Sequence, residues 1–391
     1  VLFCKKEKGL MSKENTGSHK TVLAVTNCIC FDQRVIKMAS VIQDCGSEVT
    51  VAGRFRGLCC TSEILPFKSR RFRMLFKKGF LFYMFFNIRL FFFLLAGRFD
   101  VIVSNDLDTL LPSFLASRLK GIPLVFDSHE YFTGSRELMG RPLVRRFWKI
   151  IEQLILPRLE YVFTVSDSIA ELYRQEYSVS PVVVRNLAPH SSSTETYSRD
   201  RIGIRTGDLL LVLQGTGINA DRGAEELVDA VIETPGVSLL IVGRGDILGS
   251  LQLRVQAAGS DDKIKFVPPV VREELLKYTR MADAGVSLDK DRGINYRYSL
   301  PNKIFDYISA GVPVIASDLP EVSRIIRQYG CGILVGSVTV ESVSAVLAGL
   351  VSNRGLLDGL RLKCREASLE LNWEEESKKI RLVYDKVFSD C

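Results

Sequence analysis

SLPNKIFDYISAGVPVIASD, residues 299–318, compresses a helix start, a helix, a glycine stop and a buried strand into one stretch. Pro301 suits the first turn of a helix, where its missing N–H forfeits no hydrogen bond. The free N–H groups of such a turn, together with the helix dipole, make an anion site of the kind that fits a diphosphate. Leu300, Pro301 and Asn302 form that turn, and Lys303 sets a positive charge beside it. Asp306, one turn on, is placed to accept hydrogen bonds from ribose hydroxyls. Ala310-Gly311 stops the helix, and the strand Val312–Ala316 follows. An ordinary glycine-capped helix fits the same pattern, so the stretch speaks for architecture before it speaks for chemistry.

The same grammar recurs in both directions. Short apolar runs at 21–26, 48–52, 100–103, 123–126, 161–165 and 181–184 read as strands, with helical stretches around 33–45, 108–119, 139–159 and 167–176. Beyond residue 206 strands are expected near 208–214, 237–242, 263–267, 284–288, 313–316 and 331–335. Helices are expected at 222–233, 271–281, 302–310, 320–328, 339–351 and 355–369. Strands this uniformly apolar, alternating with helices, imply parallel sheets covered on both faces.

The alternation restarts after the polar segment 188–206. The expected fold class is therefore α/β, with two Rossmann-like, doubly wound domains facing a cleft. The division is residues 1–20 as a disordered leader, 21–190 as the first domain and 191–372 as the second. Residues 373–391 form a last helix that crosses back onto the first domain through Ile380, Val383, Val387 and Phe388.

Composition narrows the classes. At 47% hydrophobic and 25% charged, the chain is neither disordered nor collagen-like nor a disulfide scaffold. Nine cysteines in an odd, unpatterned set read as free thiols of a reducing cytoplasm. Three histidines give no zinc pattern, and no metal or other cofactor is expected. The net charge of +7 is modest, so its location matters more than its sum.

Much of that charge stands in 66–97, where Lys68, Arg70, Arg71, Arg73, Lys77 and Lys78 precede seven phenylalanines. Asn87 and Arg89 interrupt the apolar run, and an arginine at mid-bilayer costs roughly 2.5–3.5 kcal/mol, which disfavours a spanning helix. Two readings fit: a buried helix with a solvated basic flank, or an interfacial helix docked on an anionic inner membrane leaflet. Nucleic acid is not an expected partner, because no nucleic-acid module accompanies the basic run.

Other candidates stand at expected strand ends. Gly215 and Gly217 follow the strand 208–214 and permit close backbone approach to a ligand, and Arg222 opens the next helix. Gly243 begins a similar turn after 237–242. In the first half, His129 and Glu130 follow the strand 123–126, where an imidazole can meet a sugar hydroxyl or stabilise charge. Asp32 and Arg34 occupy the first strand-to-helix turn, where a helix N-cap with a solvated arginine is the plain alternative.

Together these segments resemble the retaining glycosyltransferases of family 4, which have the GT-B fold. D-x-R-V at 32–35, D-S-H-E at 127–130, R-G-x-x-x-L at 222–227 and the stretch 299–318 carry the resemblance. It implies a nucleotide-diphosphate sugar held by the second domain and an acceptor, glycan or lipid-linked, on the first. It implies roles for Arg222 and Lys303 at the diphosphate, His129 near the donor sugar and Asp306 at the ribose. Asp32, Arg34 and Glu130 fall on the acceptor side. It also implies a metal-independent reaction, while the basic, aromatic segment 66–97 makes cell-surface polysaccharide synthesis on a lipid-linked or outer-surface glycan precursor the expectation, in the cytoplasm or at the inner membrane face. The family often has two glutamates seven positions apart; Tyr298 and Asp306 stand there in this chain. A sugar-nucleotide epimerase of the same fold, or a non-catalytic scaffold at the membrane, are the alternatives.

Overall fold

The computed structural model describes residues 19–29, 32–55, 65–191, 193–205 and 207–391, the side chains of Arg136 and Glu137 excepted. The first eighteen residues of the expected leader lie outside this set, and the first strand already begins at Lys20.

Strands β1 (Lys20–Cys28), β2 (Glu48–Arg54), β3 (Lys68–Phe72), β4 (Val101–Asn105), β5 (Leu124–Asp127), β6 (Tyr161–Thr164) and β7 (Val182–Val183) form one sheet. Strands β8 (Leu209–Gly215), β9 (Val237–Gly243), β10 (Ile264–Val267), β11 (Ala284–Ser287), β12 (Val314–Ser317) and β13 (Gly332–Val335) form the other. The orders are β3-β2-β1-β4-β5-β6-β7 and β10-β9-β8-β11-β12-β13, every pair parallel. In each sheet the order reverses beside its first strand, at β1/β4 and at β8/β11. Ligands of open α/β sheets bind outside the carboxyl ends of strands at such points.

Alternate residues of one strand serve opposite faces, which is why the strands are apolar throughout. Val22 and Ala24 join the core under the helix Gly79–Ala96, whereas Leu23 and Val25 join the core under Gln33–Asp44. Ile380, Tyr384 and Val387 of the last helix, Trp373–Ser389, belong to that second core, so this helix packs on the first sheet.

The stretch 299–318 is fixed to its sheet by Tyr307. Its fully buried ring lies over Gly285 of β11, and its hydroxyl sits 3.2 and 3.1 Å from the carbonyls of Val212 and Val286. A Cβ at Gly285 would stand 2.3 Å from the Tyr307 ring. Overpacking of this kind costs typically about 1–3 kcal/mol. Gly285→Ala is therefore expected to lower stability by that amount in chemical unfolding, and a variant as stable as the wild type would contradict this packing.

Two expectations need correction. Only the end of the basic run, Lys77 and Lys78, flanks the helix; Lys68, Arg70 and Arg71 lie on the edge strand Lys68–Phe72, where charge protects an edge that would otherwise recruit other chains. The helix Gly79–Ala96 is long and apolar enough to cross a membrane by length and composition. Yet Phe82, Phe86, Leu90 and Leu94, at four-residue spacing, seat it on the first sheet, leaving Phe80, Phe85, Ile88 and Phe92 exposed. It is thus neither wholly buried nor free of the protein. Cysteine chemistry differs as well. Cys45, Cys331, Cys364 and Cys391 are free thiols, whereas Cys28 is disulfide-bonded.

Candidate active site

The carboxyl ends of the two sheets face each other across a cleft of about 900 Å³. Its lining comes from both domains: Asp32, Arg34, His129 and Glu130 from the first; Thr216, Arg222, Tyr296, Leu300, Pro301 and Asn302 from the second. The volume is in the range of small-molecule sites. Bridging contacts hold the walls together. Asn295 Nδ2 donates to Glu130 Oε2 at 3.2 Å, and the backbone N–H of Ser168 donates to the buried Glu321 carboxylate at 2.7 Å.

On the second domain, Pro301 is the N-cap of the helix Asn302–Ser309, whose Ile304, Phe305, Tyr307 and Ile308 are buried. That amphipathic seating aims the helix N-terminus at the cleft. Lys303 makes no hydrogen bond or ion pair among the described residues, and burial pulls its pKa down against the attraction of Asp289. Arg222 Nη1 meets Asp289 Oδ1 at 3.1 Å, and its guanidinium lies 5.1 Å from the Tyr296 ring centroid. Arg222 Nε and Asp289 Oδ2 are buried without partners. The neighbouring Asp221 has φ 65°, a conformation uncommon for residues other than glycine. Two cations, donors still unspent, thus converge beside a helix N-terminus. That is an arrangement for an anion.

The glycines of this wall act on one another. A Cβ on Gly243 would stand 1.8 Å from the Gly215 carbonyl, and the Arg244 N–H donates to that same oxygen at 3.0 Å. Gly243 is therefore required by the contact between two strand-end turns, whereas a Cβ on Gly215 would have room and glycine there is favoured by its φ of 149°. Gly217 lies in the first of these turns, where a Cβ would meet only the Asn219 side chain, at 3.9 Å. Asp306 is not free. Its Oδ1 pairs with Arg272 Nη1 at 2.7 Å, and Gln214 Nε2 donates to Oδ2 at 3.4 Å. Burial raises its pKa, opposed by Arg272 and Lys37. A ribose would have to share this carboxylate with Arg272.

On the first domain, Arg34 lines the cleft while its guanidinium is engaged within the protein. Its fork clasps Asp127, with Nη2 to Oδ1 at 2.6 Å and Nε to Oδ2 at 3.0 Å, and Nη1 donates to the Val184 carbonyl at 2.7 Å. The two side chains are 3% and 0% exposed, so this is a buried ion pair and not a solvated arginine. Asp32 serves as the N-cap, accepting from Val35 N–H at 3.2 Å.

His129 lies between two carboxylates: Nδ1 is 3.4 Å from Asp106 Oδ2 and Nε2 is 3.3 Å from Asp127 Oδ2. Burial works against a charged ring, but Asp106 and Asp127 more than offset it and raise the pKa to about 9. Asp127 is pressed upward by burial, yet Arg34 and His129 hold it well below the usual carboxylate range. Asp106 sits at φ 61°, ψ 166°, a region nearly confined to glycine, which costs of the order of 1–3 kcal/mol.

Asp106, Asp289 and Arg272 were not among the residues expected from sequence. For the two aspartates a signal was present, since both follow strand ends at the order-reversal points.

Known proteins point the same way. The description Glycosyltransferase Family 4 matches residues 33–188, and Glycosyl transferases group 1 matches 217–353. A phosphatidyl-myo-inositol mannosyltransferase of Mycobacterium leprae is 28% identical over 305 residues, 75% of each chain. A D-inositol 3-phosphate glycosyltransferase of Jonesia denitrificans is 22% identical over 74% of this chain and 72% of its own. In fold, the chain superposes on Anabaena HepE in complex with UDP and glucose with a TM-score of 0.74. The identity is 14%, over 95% of this chain and 100% of that one. One family description falls on each sheet, the two meet at the cleft lined by Arg222 and His129, and the chain accordingly belongs to the family 4 glycosyltransferases of GT-B fold.

Proposed function

We propose that the chain transfers a sugar, with retention of anomeric configuration, from a nucleotide-diphosphate sugar to a glycan or lipid-linked acceptor in cell-surface polysaccharide synthesis. The observation that carries the donor reading is the pair Arg222 and Lys303, with unspent donors beside the N-terminus of Asn302–Ser309. Negative charge grows on the leaving diphosphate as the C1–oxygen bond breaks, and fixed donors aimed there lower the barrier. The acceptor hydroxyl attacks C1 from the departing face, and its proton passes to the leaving phosphate. No protein nucleophile is assigned, and the reaction is taken as metal-independent. A donor-panel turnover assay in EDTA, with the product anomer read by NMR, tests all of this. A product of inverted configuration, or turnover only with added metal, would overturn the mechanism. Epimerised free donor in place of a transfer product would favour the epimerase.

The acceptor reading draws on the outer face of the first domain. Beside the exposed phenylalanines of Gly79–Ala96 lie Leu111, Leu115 and Leu119 of the helix Leu110–Lys120, and Leu143, Val144, Phe147, Ile150 and Leu154 of Pro142–Ile155. Lys77, Lys78, Arg141, Arg145 and Arg146 interleave with them. An apolar face with a basic border suits a lipid surface bearing anionic headgroups. This supports a cytoplasmic enzyme peripheral on the inner membrane. Reversing the charges of Lys77 and Lys78 is expected to reduce flotation with anionic liposomes severalfold, and unchanged flotation would remove the electrostatic part.

A further inference from the structure

Of the described residues other than glycine, Asp106, Ser178 and Asp221 have positive φ. Ser178 closes a helix in the ordinary left-handed way. Asp106 differs: with ψ 166° it is no helix closure but the entry to the short 3-10 helix Leu107–Thr109, its carbonyl 3.4 Å from the Thr109 nitrogen. What its conformation achieves is contact with the next strand end. One carboxylate oxygen accepts the backbone N–H of His129 at 2.8 Å, and the other faces Nδ1 of the same residue.

The remaining ring nitrogen faces Asp127, which Arg34 fixes in turn. Both nitrogens of one imidazole are therefore opposed by carboxylates. A neutral ring would have to point a lone pair at one of them; a doubly protonated ring donates to Asp127 and sets its charge 3.4 Å from Asp106. The charged groups around the ring are Asp106 after β4, Asp127 at the end of β5 and Arg34 from Gln33–Asp44. Asp108 and Glu130 stand further out, and Asp32 acts on Asp106.

We propose that Asp106 is a positioning residue whose strained backbone holds His129 as an imidazolium facing the cleft, so that His129 acts there as a fixed cation and not as a base. Its bearing on catalysis rests on the donor reading of the cleft; the charge state of the ring does not. The strain is then the condition for reaching His129 from β4, and a residue free of strain at 106 would lose that reach.

The test is an NMR titration of the full chain labelled at histidine, where His19, His129 and His190 are the only three signals. In the wild type His129 is expected to titrate near pH 9, well above the ordinary value of about 6.5. In Asp106→Asn the midpoint should fall by about one pH unit or more, since one facing charge is gone. Asparagine tolerates positive φ and can still accept the His129 N–H, so folding is preserved. A wild-type midpoint at or below the ordinary value, or an unchanged midpoint in Asp106→Asn, would overturn the proposal.

Asp106→Gly separates positioning from structure. Glycine fits this backbone without strain, so the melting temperature should hold or rise while kcat falls roughly ten- to a hundred-fold. A drop in melting temperature with kcat retained would overturn the positioning role. Because the titration needs no substrate, absence of turnover with every donor would sink the transferase mechanism and leave this result to stand or fall separately.

Discussion

Arg222→Ala is expected to lower turnover of the nucleotide-sugar donor by about 10²–10³-fold, the usual loss when one preorganised group is removed from a developing oxyanion. The guanidinium is held in place by Asp289 and lies over Tyr296, while its Nε remains unsatisfied and buried. A group oriented before substrate arrives spends nothing on reorganisation during the reaction. Folding should suffer less than turnover, because Lys303 also faces Asp289 and keeps that carboxylate compensated. Arg222→Lys should fall between the two, since an ammonium keeps the charge but not the planar fork. Steady-state kinetics on variants checked for folding by circular dichroism decides the matter. Wild-type turnover in Arg222→Ala would mean that the diphosphate sits elsewhere.

The second large effect concerns stability. Arg34→Ala leaves Asp127 charged, fully buried and dependent on His129 alone, and breaking a buried pair from one side costs about 3–5 kcal/mol. Urea unfolding should register that loss, and replacing both partners with apolar residues should restore part of it. A cost within experimental error would show that the pair does not hold the folded state.

The pH dependence has a definite sign. Asp127 is depressed in the folded chain, so its contribution is present above about pH 4 and is lost as the pH falls. His129 is raised, so its contribution is full below its unfolded value of about 6.5 and disappears as the pH rises through about 9. In Arg34→Ala the acid-side dependence should shrink, because Asp127 loses the neighbour that depresses it most.

The two-sheet architecture was legible because its strands are covered on both faces and so appear as continuous apolar runs. β3 was not, since Lys-Ser-Arg-Arg-Phe is an exposed edge with no apolar face to announce it. Arg222, Lys303 and His129 could be picked out from their places at helix starts and strand ends. Arg34 could not be read correctly. Nothing local distinguishes a solvated arginine from one clasping a carboxylate 93 residues away. Asp306 has the same difficulty, as its partner Arg272 lies 34 residues earlier. Asp106 was hidden for a different reason: its significance lies in a backbone angle and in a bond to a residue 23 positions on.

In the proposed donor site the start of the helix Asn302–Ser309, with Arg222 and Lys303, grips a nucleoside diphosphate. Calorimetric titration of UDP, GDP and ADP into the wild type and into Lys303→Ala tests it most directly. Lys303 has no hydrogen-bond partner among the described residues, so its removal should leave the fold intact. At least one diphosphate should bind the wild type far more tightly than its parent nucleoside does, and Lys303→Ala should weaken it by about ten- to a hundred-fold. Equal affinity in the variant, or a nucleoside bound as tightly as its diphosphate, would contradict the account.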